Sequence, residues 1–171
     1  MKEILMTKSL DLGCGTEPRN IFSASNVYGI DVRTDIDRNI LRADLAIEPI
    51  PFPDDEFDYV TAIDFLEHIP PLLYVPHRTY PFIRLMNEIW RVLKAGGIFY
   101  SFTPAVPGKS PYEMSVFRDP THVNFITEET FPLYFDDVNT LARMYGFIGK
   151  FEIVSQEWRG GHLITICKKV I

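Results

Sequence analysis

Apolar positions along the chain fall into two kinds of segment. Around residues 9–12, 27–31, 41–45, 57–63 and 98–103 they form short runs, the pattern of strands buried within a sheet. Over 79–94, Phe82, Leu85, Met86, Ile89 and Leu93 recur at three- and four-residue intervals. That spacing predicts a helix capped by Thr79, favoured at its end by Arg91 and Lys94, and stopped by Gly96-Gly97. A short helix is expected over 17–25, with Thr16 as its cap and Pro18 tolerated in the first turn. Another is expected after a capping Asp136, with Val138, Leu141, Ala142 and Tyr145 on one face and Gly146 as its end. Residues 151–155 and 163–167, separated by Gly160-Gly161, read as a terminal antiparallel pair. The alternation of strands and helices predicts an α/β fold with a mostly parallel sheet.

The connections differ in character. Residues 33–38 are too polar and too few for a full helix, and Pro49, Pro51 and Pro53 hold the next link extended. Residues 104–126 form a long loop punctuated by Pro104, Pro107, Gly108, Pro111 and Pro120. With 171 residues, 46% of them hydrophobic and 13% aromatic, the chain is expected to form one domain over 1–171 with a sizeable core. A net charge of −6 is an unfavourable background for gripping nucleic acid, so small or neutral substrates are favoured. Cys14 and Cys167 lie far apart without metal-ligand spacing, so neither a disulfide framework nor a metal site is expected. The apolar run within 1–6 is too short for a signal peptide, and no run approaches the ~18 residues of a membrane span. A cytoplasmic protein is expected.

Candidate chemistry concentrates at the first strand-to-helix turn, Asp11-Leu12-Gly13-Cys14-Gly15-Thr16. Gly13 and Gly15 let backbone approach a ligand, and Asp31, about 20 residues on, ends the second strand where a carboxylate can grip ribose hydroxyls. A dinucleotide fingerprint needs a third glycine where this chain has Pro18. Glu17 also puts negative charge where a pyrophosphate would sit, so NAD is disfavoured.

Over residues 9–103 the chain resembles the class I S-adenosylmethionine-dependent methyltransferases. The matches, in order, are 11–16, Gly29-Ile30-Asp31, Ala43-Asp44-Leu45, Phe57-Asp58-Tyr59-Val60, Phe65-Leu66-Glu67-His68-Ile69 and Arg91-Val92-Leu93-Lys94-Ala95-Gly96-Gly97. The resemblance implies a Rossmann-like, seven-stranded sheet with helices on both faces and S-adenosyl-L-methionine as cofactor. It implies a cofactor site made of Asp11, Gly13, Cys14, Gly15, Asp31, Val32, Asp44, Leu45, Asp64 and Phe65. In it Asp11 would face the methionine amino group through water, Asp31 the ribose, and Asp44 with the Leu45 amide the adenine. Read from the residues alone, the same acids can be strand-end caps, and Cys14 can simply pack at the turn.

In such a fold the connection after the fifth strand commonly builds the acceptor pocket. Here it carries Asp119-Pro120-Thr121-His122-Val123-Asn124, with Tyr112, Phe117 and Phe125 as an apolar wall. His122, Asp119 and His68 are the catalytic candidates, because an alcohol or protonated amine must lose a proton and imidazole is the usual acceptor. Tyr112 and Asn124 are candidates for binding substrate. Asp-Pro-Thr is equally a turn starter, and a lone histidine equally a backbone-bonded helix start, the reading favoured for His77 and His162. Ala62-Ile63-Asp64-Phe65 lacks the Asn/Asp-Pro-Pro-aromatic run of amino methyltransferases acting on DNA bases, so DNA base methylation is not expected. The expected function is methyl transfer to an oxygen or nitrogen of a small-molecule, sugar or nucleotide-like acceptor. The alternative is a catalytically inactive cofactor-binding partner or regulatory subunit. Because the chain begins almost on the first strand, a partner subunit or a second copy is expected to cover the site if the 104–126 loop does not.

Overall fold

The computed structural model describes residues 6–106 and 115–171. Its core is a sheet in the order β3-β2-β1-β4-β5-β8-β7, formed by β1 (Lys8–Leu12), β2 (Asn26–Asp31), β3 (Ile40–Arg42), β4 (Phe57–Ile63), β5 (Leu93–Val106), β7 (Phe151–Arg159) and β8 (His162–Lys169). The two-residue β6 (Ile126–Thr127) joins β5 off this path. Strands β1 to β5 pair in parallel, and β8 then runs antiparallel to both β5 and β7. Strand order reverses around β1, which lies between β2 and β4. Beyond the carboxyl ends of those strands a crevice must open.

Helix α1 (Pro81–Val92) buries Phe82, Leu85, Met86, Ile89 and Val92, the stripe that the periodicity predicts. Burying each such side chain contributes about 1.5–3 kcal/mol before the entropy of ordering is subtracted. Thr79 is not the cap. It pairs with Leu73 instead, and Pro81 occupies the first helical position, where its missing N–H needs no partner. Nor does Gly96-Gly97 stop the helix. Leu93 is already extended and paired with Phe57, and the glycines sit where the β4–β5 register shifts.

No helix forms over 17–25, which runs as turns. The Asn20 side chain accepts from the Ala24 amide at 2.7 Å and donates to its carbonyl at 3.0 Å, and this local closure outcompetes a nine-residue helix with proline in its first turn. Phe22 from this segment stacks on Tyr59, centroids 4.4 Å apart, and meets Tyr100 edge-on. Helix α2 (Thr130–Tyr134), which no periodicity announces, packs Phe131 against Phe99 of β5, while Phe135 just beyond it meets Phe82 of α1. The helix expected after Asp136 shrinks to a single 3-10 turn at Leu141–Tyr145. Asp136 spends its carboxylate on the Val138 and Ile153 amides, tying this segment to β7.

Helix α1 also shapes the crevice from behind. Arg84 donates to the Ala46 carbonyl, and Arg91 donates to the carbonyls of Ile50 and Phe52 while paired with Glu88 and Asp54. The proline-rich link after β3 is thereby fixed beside the strand ends.

Candidate active site

A cleft of about 320 Å3 opens at the carboxyl ends of β1, β2 and β4. Gly13, Asp31, Val32, Asp44, Leu45, Asp64 and Phe65 all line it, as does His68. Gly13 has φ +64, and the Phe65 ring occupies the space that a Cβ there would need. Asp31, 9% exposed, accepts from the Gly15 amide at 3.0 Å and from the Arg33 amide and side chain. Burial works against its ionisation, and those hydrogen bonds outweigh it, holding the carboxyl below its ordinary range. Among the described residues the Leu45 amide, at a buried position of the wall, has no hydrogen-bond partner.

Three residues expected at the cofactor, Asp11, Cys14 and Gly15, do not line this cleft. Asp11 is fully buried and accepts from the Arg19 amide at 2.9 Å and the Thr61 hydroxyl at 2.7 Å, bracing the glycine loop against β4. Burial pushes its pKa up. Cys14 packs at the turn, its thiol directed at the Gly15 carbonyl and pushed up to about 11 by burial and then by the nearby Asp11 and Asp31 charges. Gly15 donates its amide to Asp31, and the space beside its Cα is open.

A second cleft, of about 350 Å3, adjoins the first and shares Asp64 and His68 with it. It brings His68, Asp119 and His122 together although 51 residues separate the first pair in sequence. His122 Nδ1 lies 2.9 Å from the Val116 carbonyl, which can only accept, so that nitrogen carries the proton and Nε2 keeps its lone pair. Asp119 accepts the Thr121 hydroxyl at 2.6 Å and amide at 2.8 Å, which lowers its pKa, and its other oxygen stands 4.0 Å from His122 Nε2. With the Thr121 hydroxyl donating to Asp119, its oxygen accepts from His68 Nδ1 at 3.1 Å. The lone pair of His68 is therefore also on Nε2.

Residues 107–114, and with them Tyr112, lie outside the described residues. Phe117 and Phe125 pair with each other, centroids 5.0 Å apart. Asn124 lies away from this cleft: it donates to the Leu66 carbonyl and lines a separate apolar hollow beside Tyr80 and Phe82.

A family model described as a methyltransferase domain matches residues 10–101, more than half of the chain. The chain belongs to this methyltransferase family. No curated protein matches it in sequence. Among solved structures, the methyltransferase is similar to an S-adenosylmethionine-dependent methyltransferase from Mesorhizobium loti, at 18% identity and TM-score 0.60, over 95% of this chain and 91% of that one. It is similar to the complex of the Haloferax volcanii Trm112 methyltransferase activator with a methyltransferase, at 15% identity and TM-score 0.62, over 97% and 84%. The (4+2)-cyclase SpnF shares the fold at 20% identity and TM-score 0.63, over 96% and 75%. The methyl donor of the family is S-adenosylmethionine.

The first cleft presents a buried carboxylate, an amide without a partner among the described residues, and acidic rather than basic lining side chains. Two residues of the methyltransferase's second cleft escape sequence reasoning. Glu67 lies inside the motif that carries the resemblance, yet only its burial marks it out. His162 arrives through the β5–β8 pairing, stacks on Phe102 and bonds Asp64 at 3.0 Å, and no local spacing announces it.

Proposed function

We propose that the protein transfers a methyl group to an oxygen or nitrogen of a small-molecule, sugar or nucleotide-like acceptor held in the second cleft. The observation that carries this reading is the common wall, Asp64 and His68, between a cleft suited to the donor and one lined by titratable side chains. Bound S-adenosylmethionine supplies an electrophilic methyl on a positively charged sulfur, so positioning accounts for most of the rate. Asp31 and the Leu45 amide would hold the nucleoside, and Phe65 would close over Gly13. Asp64, a non-glycine residue at φ +51, is held in that conformation by the hydrogen bond its amide donates to the Phe102 carbonyl and by its contact with His162. The Nε2 lone pair of His122 takes the proton of an alcohol or protonated amine, with the Asp119 carboxylate 4.0 Å away stabilising the imidazolium.

A partner subunit that covers the clefts belongs to the same proposal, supported by the likeness to a methyltransferase seen with an activator. The alternative, a cofactor-binding protein without methyl transfer, is supported by the likeness to a cyclase, since one fold hosts different chemistries. Calorimetric titration with S-adenosylhomocysteine, followed by an acceptor screen with labelled donor, separates the two. The expected result is saturable binding lost in Asp31→Ala, and transfer lowered about 10²–10⁴-fold in His122→Ala at saturating acceptor. Binding with no transfer to any acceptor class favours the alternative, and undiminished transfer by His122→Ala removes that residue from the mechanism.

A further inference from the structure

The second cleft contains more ligating groups than proton transfer needs. One side-chain atom from each of Glu67, His68 and His122 lies within 4.8 Å of the other two, a separation that a single ion can span. These residues come from two distant segments, at the end of β4 and in the connection after β5, and the fold holds them together through the Val123 and Asn124 amides, which donate to the Glu67 carbonyl.

Three independent features give this cluster the character of a cation site. First, both imidazoles are held by their Nδ1 protons, His122 on the Val116 carbonyl and His68 on Thr121, so each presents an Nε2 lone pair in a fixed orientation. Metal-ligating histidines are oriented in this way, the second nitrogen donating to a carbonyl or carboxylate. Secondly, Glu67 is 1% exposed and lines the cleft. Its Oε2 accepts from Thr103 at 2.8 Å, and its own backbone amide also donates to the carboxylate. A carboxylate so placed is costly unless a positive partner completes it. Thirdly, the cleft wall carries three carboxylates, Asp64, Glu67 and Asp119, against the single guanidinium of Arg118, so its field favours a cation.

We propose that Glu67, His68 and His122 bind a divalent transition-metal ion of the Zn2+, Mn2+ or Co2+ class, which holds the acceptor's oxygen in the second cleft. Two imidazoles and one carboxylate select this class over Mg2+ or Ca2+, which prefer all-oxygen shells. Three protein ligands leave a coordination position open for a substrate. The inference rests on the acceptor-cleft reading above and changes one part of it: a coordinated His122 cannot also take a proton. The ion instead makes the acceptor hydroxyl more acidic, and its proton passes to solvent. The oxygen lone pair then forms the bond to the methyl carbon, and the methyl–sulfur bonding pair returns to sulfur.

The test is titration of chelator-treated protein with Co2+, read by its visible ligand-field absorption and by calorimetry. Wild type, Glu67→Gln and His122→Ala are compared, and the same samples are titrated with S-adenosylhomocysteine. One saturable equivalent is expected in wild type, weakened at least about tenfold in each variant, with visible bands stronger than those of the aqueous ion. Retained S-adenosylhomocysteine binding and an unchanged circular dichroism spectrum show that the variants are folded. No saturable Co2+ binding to folded protein, or binding undiminished in both variants, overturns the metal site. Donor binding without metal binding leaves the methyltransferase reading standing alone, and metal binding without donor binding does the reverse.

Discussion

At Gly13 a positive φ coincides with an aromatic ring that fills the place of a Cβ, so alanine there meets two penalties at once. The left-handed conformation costs about 1–2 kcal/mol for an L side chain, and the Phe65 ring must also leave the cleft wall. Gly13→Ala should lower the unfolding midpoint modestly and weaken S-adenosylhomocysteine at least about tenfold, as calorimetry would show. Glu67 carries the opposite trade. Burial raises its pKa, so the folded chain holds that proton more tightly than the unfolded chain does, and the ionised form costs stability above the raised value. The metal-free Glu67→Gln variant, which keeps an acceptor for Thr103, should therefore be more stable than wild type at neutral pH. The gap should close as pH falls through the raised pKa towards the ordinary carboxyl range. Urea unfolding at a series of pH values checks this, and a gap that widens on acidification would contradict it.

Elements that a short stretch of sequence can determine were legible, and elements that depend on distant partners were not. Strand β4 and helix α1 follow from local periodicity, since β-branched runs and three-four spacing act within one element. The segment 17–25 fails as a helix because Asn20 closes it locally and Phe22 finds Tyr59 across the sheet. Helix α2 exists because Phe131 and Phe135 find Phe99 and Phe82, contacts that no five-residue pattern announces. The site divides the same way: the strand-end residues of the first cleft are local to their motifs, whereas His162 reaches Asp64 from 98 positions away. Helix α1 also acts at this scale through Arg91, whose fork serves two carbonyls and two carboxylates. A lysine ammonium cannot span that set. Arg91→Lys should cost about 1–3 kcal/mol in urea unfolding and speed amide exchange around residues 49–53, leaving exchange in the central strands slower.

For the whole molecule, ligands bound as proposed in the two clefts would interact across their common wall. S-adenosylmethionine carries a positive sulfur and S-adenosylhomocysteine does not, so a cation in the second cleft distinguishes them by charge alone. Taking about 10 Å for one side-chain wall and an effective dielectric of about 40, the repulsion between the doubly charged ion and the singly charged sulfur is ~1.7 kcal/mol, or roughly 17-fold in affinity. Loading with Zn2+ should therefore weaken the donor roughly 17-fold relative to its demethylated product. Thermodynamic reciprocity requires the donor to weaken Zn2+ by the same factor. The strain is relieved when the methyl leaves and sulfur becomes neutral, so it raises the ground state relative to a transition state in which the charge is dispersing, which favours transfer. Calorimetry of both ligands with and without Zn2+, repeated in His122→Ala, measures the difference. A ratio that Zn2+ leaves unchanged would mean that the ion sits beyond electrostatic reach of the sulfur. A ratio that shifts in wild type and not in the variant assigns the effect to an ion held by His122.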